Sequence, residues 1–371
     1  MIKTILIKCD LAGRGIVNFD SKEQRFTLYK HGIFSGLMDS VKSNEGIKNR
    51  ECFKFGKKAF TKTGEVNDKG NETYDYKVKI SADCLRNAIF GKDVEVVNGY
   101  FEKDPFILAT YILSPTGLAR GYMFVGREKT NRENTIRRKS PLTVTDAIQT
   151  NDAKSEMEIG STTGARVDNS MYFSEKVGDI TYSFKGQIDI KQLQFLSADP
   201  CFDRLGIDSD MISSGEAETI IATHYGDGAE YYEGVFSSMA KFTSSTYGEY
   251  GILFSNEICE KVIKYTLKNI LALNIVRSNS FAATTGLKIK LVDNIIGTGQ
   301  KMEDEENWIE LRNEEDIDNL DLSNLYQFYE PADEDEIENR EKMIKEFTEA
   351  SEDRKKAKKE EKKARKDATQ K

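Results

Sequence analysis

Apolar residues thin out well before the chain ends, and this limits where a core can form. After Pro331 the sequence is almost free of them and closes on KKAKKEEKKARKDATQK, so residues 332–371 read as a charged, flexible tail whose removal should leave folding intact. Just upstream, residues 303–321 hold ten acids against one arginine, which sets 301–331 apart as an acidic extension. A packed body therefore has to come from residues 1–300. Over 371 positions, 38% hydrophobic and 10% aromatic residues supply enough apolar surface for one large, elaborated domain or two ordinary ones.

Charge follows the same division. The formal net charge is -8, but residues 301–371 carry 15 Lys/Arg against 24 Asp/Glu, leaving 39 against 38 in the body. Within that neutral body, 42–62 and 120–139 each hold seven basic residues against two acids. Clustered cations on a neutral body are the footprint of phosphate binding, and also of an ordinary solvated loop.

The N-terminal MIKTILIKCD is too short and too interrupted for a signal core or a membrane span. Cysteines at 9, 52, 84, 201 and 259 form no CxxC pair, so buried free thiols in a reducing cytoplasm are expected. The two histidines, His31 and His224, lack a second ligand at metal spacing, and no metal or cofactor is expected. A histidine-based nucleophilic site is disfavoured by the same scarcity, and GxxxxGK[ST] and GxSxG are absent. The acid runs Glu303 to Glu306 and Asp333 to Glu336 project in different directions and read as solvated.

ILIKCDLAGRGIVNF reads as a strand, a bend at Gly13-Arg14-Gly15 and a second extended piece. Residues 36–75 form a long insertion or extended hairpin with its tip near NDKGNE. YDYKVKI predicts a strand leading into a helix over SADCLRNAIFG that stops at Gly91. FILATYILSPTGLARGYMFV predicts two apolar elements about a polar turn. TYSFKGQIDIKQLQFLS is a strand with an irregularity near Lys191-Gln192. SNEICEKVIKYTLKNILALNIV is the clearest amphipathic helix, and GLKIKLVDNII a strand after it. Strands separated by helices and long loops imply an α+β fold with a ferredoxin-like core.

Nucleic-acid binding is the chemistry best supported locally. Arg137-Arg138-Lys139-Ser140 presents three cations and a hydroxyl before Pro141, an extended strip suited to lie along phosphates. Arg120, followed by Gly121, and Arg166 each sit in a glycine-bearing turn where backbone amides and a guanidinium can share a phosphate. From Arg166 to Phe184 two extended pieces flank a Val177-Gly178-Asp179 turn, and Met171 and Phe173 are the candidate wedge between bases. Arg86, Lys54, Lys57 and Lys58 are weaker candidates on charge alone.

Taken in order, GRGIVNF, ISADCLRNAIF, SPTGLARGYMF, RRKSPLTVTDAIQ, GAR with a following NSMYFS, and IDIKQLQFLSADPCFDR resemble the guide-RNA backbone subunit of the minimal type I-F variant CRISPR effector complex. That subunit is of the Cas-seven family of Cascade, in the RAMP superfamily. The likeness runs in patches from about residue 13 to about residue 292. It implies an RRM-like palm with finger-like insertions, at about 36–75 and 127–184, and a β-hairpin thumb. Copies would polymerise head to tail on CRISPR RNA, beside other Cascade subunits, with target DNA met through guide pairing and degraded by a recruited nuclease. Arg120, the RRKSPL strip and Arg166 fall in matching segments and are implied as RNA contacts. REKTNRENTI at 127–136 and everything from about 303 onward depart from the pattern. The rival readings are an RRM-fold ribonuclease using Asp10 or Asp20, and a protein that joins or mimics such a complex without carrying guide RNA.

Overall fold

The structure, a computed structural model, describes residues 1–15, 17, 19–20, 55–56, 58–66, 72–97, 105–125, 135–151, 156–162, 171–177, 179–199, 205–239, 248–277, 280–293, 306–346, 348–350 and 353. The chain opens with β1 (Thr4–Arg14), the short pair β2 (Phe19–Asp20) and β3 (Phe55–Gly56), and the hairpin β4 (Lys58–Val66) and β5 (Glu72–Ile80). Helices α1 (Ala82–Val97), α2 (Pro105–Leu113) and α3 (Pro115–Arg120) follow. Then come the hairpin β6 (Tyr122–Val125) and β7 (Thr135–Arg138), β8 (Leu142–Val144), β9 (Ala147–Gln149), and the hairpin β10 (Glu156–Thr162) and β11 (Met171–Val177). The second half holds β12 (Asp179–Asp189), α4 (Ile190–Gln194), β13 (Phe195–Ser197), α5 (Ser209–Ser213), α6 (Glu216–Tyr225), β14 (Tyr231–Ser238), β15 (Glu249–Phe254) and α7 (Asn256–Leu271). It ends on β16 (Asn274–Arg277), β17 (Ser280–Val292), β18 (Ile309–Leu311), α8 (Glu314–Asp318) and β19 (Tyr329–Pro331).

The main sheet runs β16-β17-β1-β12-β9-β5-β4, with β8 on β12 and β18 on β17, and its pairings are antiparallel. Strand β1 is its centre because alternate residues Ile5, Ile7, Cys9 and Leu11 are apolar and fully buried. They meet Tyr182, Phe184 and Ile188 of β12 and Leu287 and Ile289 of β17, where each buried aliphatic or aromatic side chain contributes about 1.5–3 kcal/mol. Gly13 continues β1 instead of breaking it. A Cβ there would sit 1.8 Å from the Phe281 carbonyl oxygen, so only glycine lets the backbones approach this closely. A second sheet, β13-β15-β14-β19, completes the mixed helix-and-strand fold.

Helix α7 forms where its periodicity places it. Ser255 caps it by accepting from the Ile258 amide, and Ile258, Val262, Ile263, Leu267 and Ile270 are buried, against α3, β15 and β17 among others. Helix α1 runs through Gly91 to Val97 instead of stopping, since one interior glycine costs only about 1 kcal/mol relative to alanine. The SPTGLARG turn is itself helical, because Ser114 accepts from the Gly117 amide at 3.0 Å and Pro115 opens α3. Likewise the irregularity near Lys191 is a helical turn, α4, started by Asp189 accepting from the Gln192 amide. Cys9 and Cys259 are free and buried, and burial pushes both thiols up to about 12. Cys52 and Cys201 lie outside the described residues, as does His31. Among the described residues no helix is long and apolar enough to cross a membrane.

Three expectations need correction. Strand β11 pairs with β10, from Glu156↔Val177 to Thr162↔Met171, so the hairpin spans 156–177. The chain beyond Asp179 belongs to the main sheet, where Phe184 is buried against the core. The boundary at 300 falls inside one folded unit, because Leu311, Ile317, Leu320, Leu322, Leu325 and Phe328 join the main core while the acids around them face solvent. Nor is 332–346 a tail: 334–346 is helical and anchored to the body. Asp333 accepts from the Glu336 amide while the Glu336 carboxylate accepts from the Asp333 amide, a reciprocal cap. The same carboxylate accepts from Ser237 Oγ, and Arg340 pairs with Asp199.

Candidate nucleic-acid interface

The close approach of Gly121 to β7 brings Arg120 and the basic strip Arg137–Ser140 together. Gly121 has φ 70°, and a Cβ on it would lie 2.5 Å from the Arg138 carbonyl oxygen and 2.7 Å from the Ser140 amide nitrogen. Arg120 is thereby set beside the strip Arg137–Ser140, with β6 and β7 paired from Tyr122↔Arg138 to Val125↔Thr135.

Strand alternation then divides the strip. Ile136 and Arg138 are buried, whereas Arg137 and Lys139 are exposed. Outward, Arg137 stands directly across from Met123, which is 66% exposed, so cations and an apolar side chain share one face. Inward, Tyr122 and Phe124 stack at 5.3 Å and meet the ring of Tyr111 edge-on. The Tyr122 hydroxyl donates to the Gly206 carbonyl at 2.6 Å, and burial raises its pKa.

Arg138 is not on the outer strip. Its guanidinium donates to the carbonyls of Phe195 at 2.9 Å, Gln192 at 2.7 Å and Leu193 at 3.1 Å, at the C-terminal end of α4. Helix ends leave carbonyls without intrahelical partners, and an inward arginine satisfies them. Burial pulls its pKa down from the ordinary arginine value, opposed by nearby Tyr122 and Tyr329. Ser140 is also committed, its hydroxyl lying 2.6 Å from the Leu142 carbonyl oxygen and 3.0 Å from that of Ala119.

Arg120 divides its fork between Asn87 Oδ1 at 2.8 Å and the Tyr111 hydroxyl at 3.4 Å. The turn does not offer the amide cradle expected of it, because the Gly121 N–H is bonded to the Gly117 carbonyl and the Gly117 N–H to Ser114. Arg86, next to Asn87 on α1, is half-buried and paired with Asp83 at 2.6 Å. Asn87, Tyr111 and Met123 were not singled out in the sequence: Tyr111 and Met123 lie in the apolar runs of FILATYILSPTGLARGYMFV and Asn87 in the helix over SADCLRNAIFG, where packing was the signal. Lys54, Lys57 and Arg166 lie outside the described residues. Lys58, Met171 and Phe173 are placed on β4 and β11 by backbone only. Asp10 is exposed on β1 at a register shift against β17.

Residues 1–317 match a family described as Type I-Fv CRISPR-associated protein Cas7fv-like. This match defines a CRISPR-associated protein of type I. The chain belongs to the Cas7fv-like family. Among curated proteins no relative is found. Solved structures similar to it include a chain of a "CRISPR RNA-guided surveillance complex, pre-nicking", at 6% identity and TM-score 0.35, over 79% of this chain and 80% of that one. Another is Thermofilum pendens Csc2, at 9% identity and TM-score 0.28, over 77% of this chain and 67% of that one. A third belongs to a "Type IV-B CRISPR Complex", at 8% identity and TM-score 0.27, over 67% of this chain and 90% of that one.

Proposed function

We propose that this protein is the guide-RNA backbone subunit of a type I CRISPR surveillance complex, binding CRISPR RNA without sequence preference and polymerising along it. Target DNA is then met through guide pairing, beside other Cascade subunits in the cytoplasm, and a separate nuclease is recruited for degradation. The chain itself is a non-catalytic scaffold. Family membership supports the complex. The RRM-like palm is supported by the strand order β17-β1-β12-β8, in which neighbours are antiparallel, helices α1–α3 lie between β1 and β8, and α4–α7 lie between β12 and β17. Hairpin β10–β11, a two-stranded sheet of its own with Arg166 in its connection, is the thumb, carrying Met171 and Phe173.

The observation that carries the RNA reading is the outward face of β6–β7, where Arg137 and Lys139 stand beside Met123 with Arg120 at the edge. Phosphate contacts there neutralise charge but read no bases, so binding should be sequence-tolerant and salt-dependent. Replacing Arg137 and Lys139 by alanine should weaken binding equally across unrelated RNAs and lower the log-log salt slope by about 1.4, from roughly 0.7 per lost contact. A wild-type slope in the double variant rules the face out. Cleavage of labelled RNA by the pure protein, with and without Mg²⁺, would overturn the scaffold assignment.

A further inference from the structure

The sheet face opposite the main core carries a row of cations that neither basic segment of the sequence includes. Lys8 of β1 stands directly across from Lys185 of β12 on one side and Lys288 of β17 on the other. Residues opposed in an antiparallel ladder share a face, and adjacent strands lie about 4.8 Å apart, so three ammonium stems rise within about 10 Å. Like charges placed in this way oppose one another. Beyond Lys288 the next residue in the row is Glu310 of β18, whose Oε2 accepts from Arg312 at 2.7 Å. Among the described residues no ion pair reaches Lys185 or Lys288, and the carboxyl of Glu310, across from Lys288, is held below its ordinary range by Arg312 first and by Lys288 as well.

An aromatic ring completes the arrangement. Lys8 Nζ sits 4.5 Å from the ring centroid of Trp308, the half-buried residue just before β18 and the single tryptophan of the chain. Asp10, the single acid of β1, is two residues along from Lys8 on the same face and exposed. Leu6, also on this face, is fully buried. Cations in a line with an aromatic surface at their edge are what a single polynucleotide strand requires: charge for successive phosphates and a ring for one base.

We propose that Lys185, Lys8, Lys288 and Trp308 form a second RNA track, separate from the β6–β7 face, that takes phosphodiesters of a single strand on the lysines and one base on the indole. This rests on the reading of the chain as an RNA-binding subunit. The track spans three paired strands of the main sheet, so it fixes the RNA strand's path relative to the core.

Because Trp308 is the only indole, its emission reports on this site alone. Nucleic-acid-free, full-length protein is titrated with oligouridylate while the anisotropy of a labelled trace and the indole emission are followed together. The expected result is quenching with the same midpoint as the anisotropy. Lys185→Gln with Lys288→Gln should shift that midpoint several-fold and lower the salt slope by about 1.4. Saturating anisotropy with unchanged indole emission overturns the track while leaving RNA binding in place. No anisotropy change at all defeats the RNA reading itself. Oligothymidylate binding more tightly than oligouridylate, with the same quenching, overturns the assignment to RNA.

Discussion

The Arg340–Asp199 pair offers a direct measure of whether the C-terminal segment is part of the fold. Arg340 donates from Nη2 to Asp199 Oδ1 at 2.5 Å and from Nε to Oδ2 at 3.3 Å, while its guanidinium lies 5.4 Å from the ring centroid of Tyr250. The two side chains are only 15% and 4% exposed. Removing one member of a buried pair leaves the other charge stranded, a loss of about 3–5 kcal/mol. Asp199 keeps the Tyr250 amide at 2.8 Å, which places Arg340→Ala at the lower end, about 3 kcal/mol. An unfolding entropy of about 2.1 cal/mol/K per residue over roughly 300 ordered residues is ~0.6 kcal/mol/K, so the melting temperature should fall by about 5 °C. Adding Asp199→Asn removes the stranded charge and should recover part of that loss. Differential scanning calorimetry of the single and double variants reads both numbers. A change within about 1 °C for Arg340→Ala, the size expected of an exposed charge, would refute the seated segment and restore the tail.

Two further outcomes follow from buried groups. Arg138→Met strands three backbone carbonyls at the end of α4, so it should lower the denaturation midpoint by an amount equivalent to about 2–4 kcal/mol, with RNA affinity per folded molecule unchanged. His224 donates from Nε2 to the Thr110 carbonyl at 3.0 Å, and burial holds its pKa below the ordinary 6.5. Its neutral form is the folded one, so its contribution is full above pH 6.5 and is lost as pH falls through the depressed value; urea midpoints at successive pH values should show that fall, and His224→Gln should flatten it.

Elements with an unmixed periodicity were legible in the sequence. Helix α7 and strands β1, β12 and β17 carry their faces openly, because each buries one side against a continuous core. What was misread lay at short helices and caps. Ser114, Asp189 and Asp333 each start a helix with a side-chain acceptor, in segments read as a polar turn, an irregular strand and a charged tail respectively. Asp333-Glu334-Asp335-Glu336 is a capping-box pattern hidden in an acid run, and composition alone weighed against it. The pairing of β11 was missed because Glu156–Thr162 is polar and its partner is set by register across a long connection.

The basic strip shows how far a local reading of charge can go. Counted along the sequence, Arg137, Arg138 and Lys139 are three cations for phosphate; placed on β7, they divide by parity. The middle one is spent on the carbonyls of α4 and holds the strand to the core, so the outer two are presented from a fixed backbone instead of a loose loop. Gly121 lets the end of α3 approach this strand closely, since the backbone of Arg138 to Ser140 fills the space a side chain would need. On the proposed RNA reading the strip therefore offers at most two phosphate contacts, about 1.4 in salt slope and not the roughly 2.1 that three would give. The Lys185–Lys8–Lys288 row is the converse case. Its members are isolated in sequence, each inside an apolar strand, and only the antiparallel register of three distant segments makes them a cluster. Local charge density overstates one surface and misses the other for the same reason, which is that strand pairing, not chain proximity, decides which ammonium groups share a face.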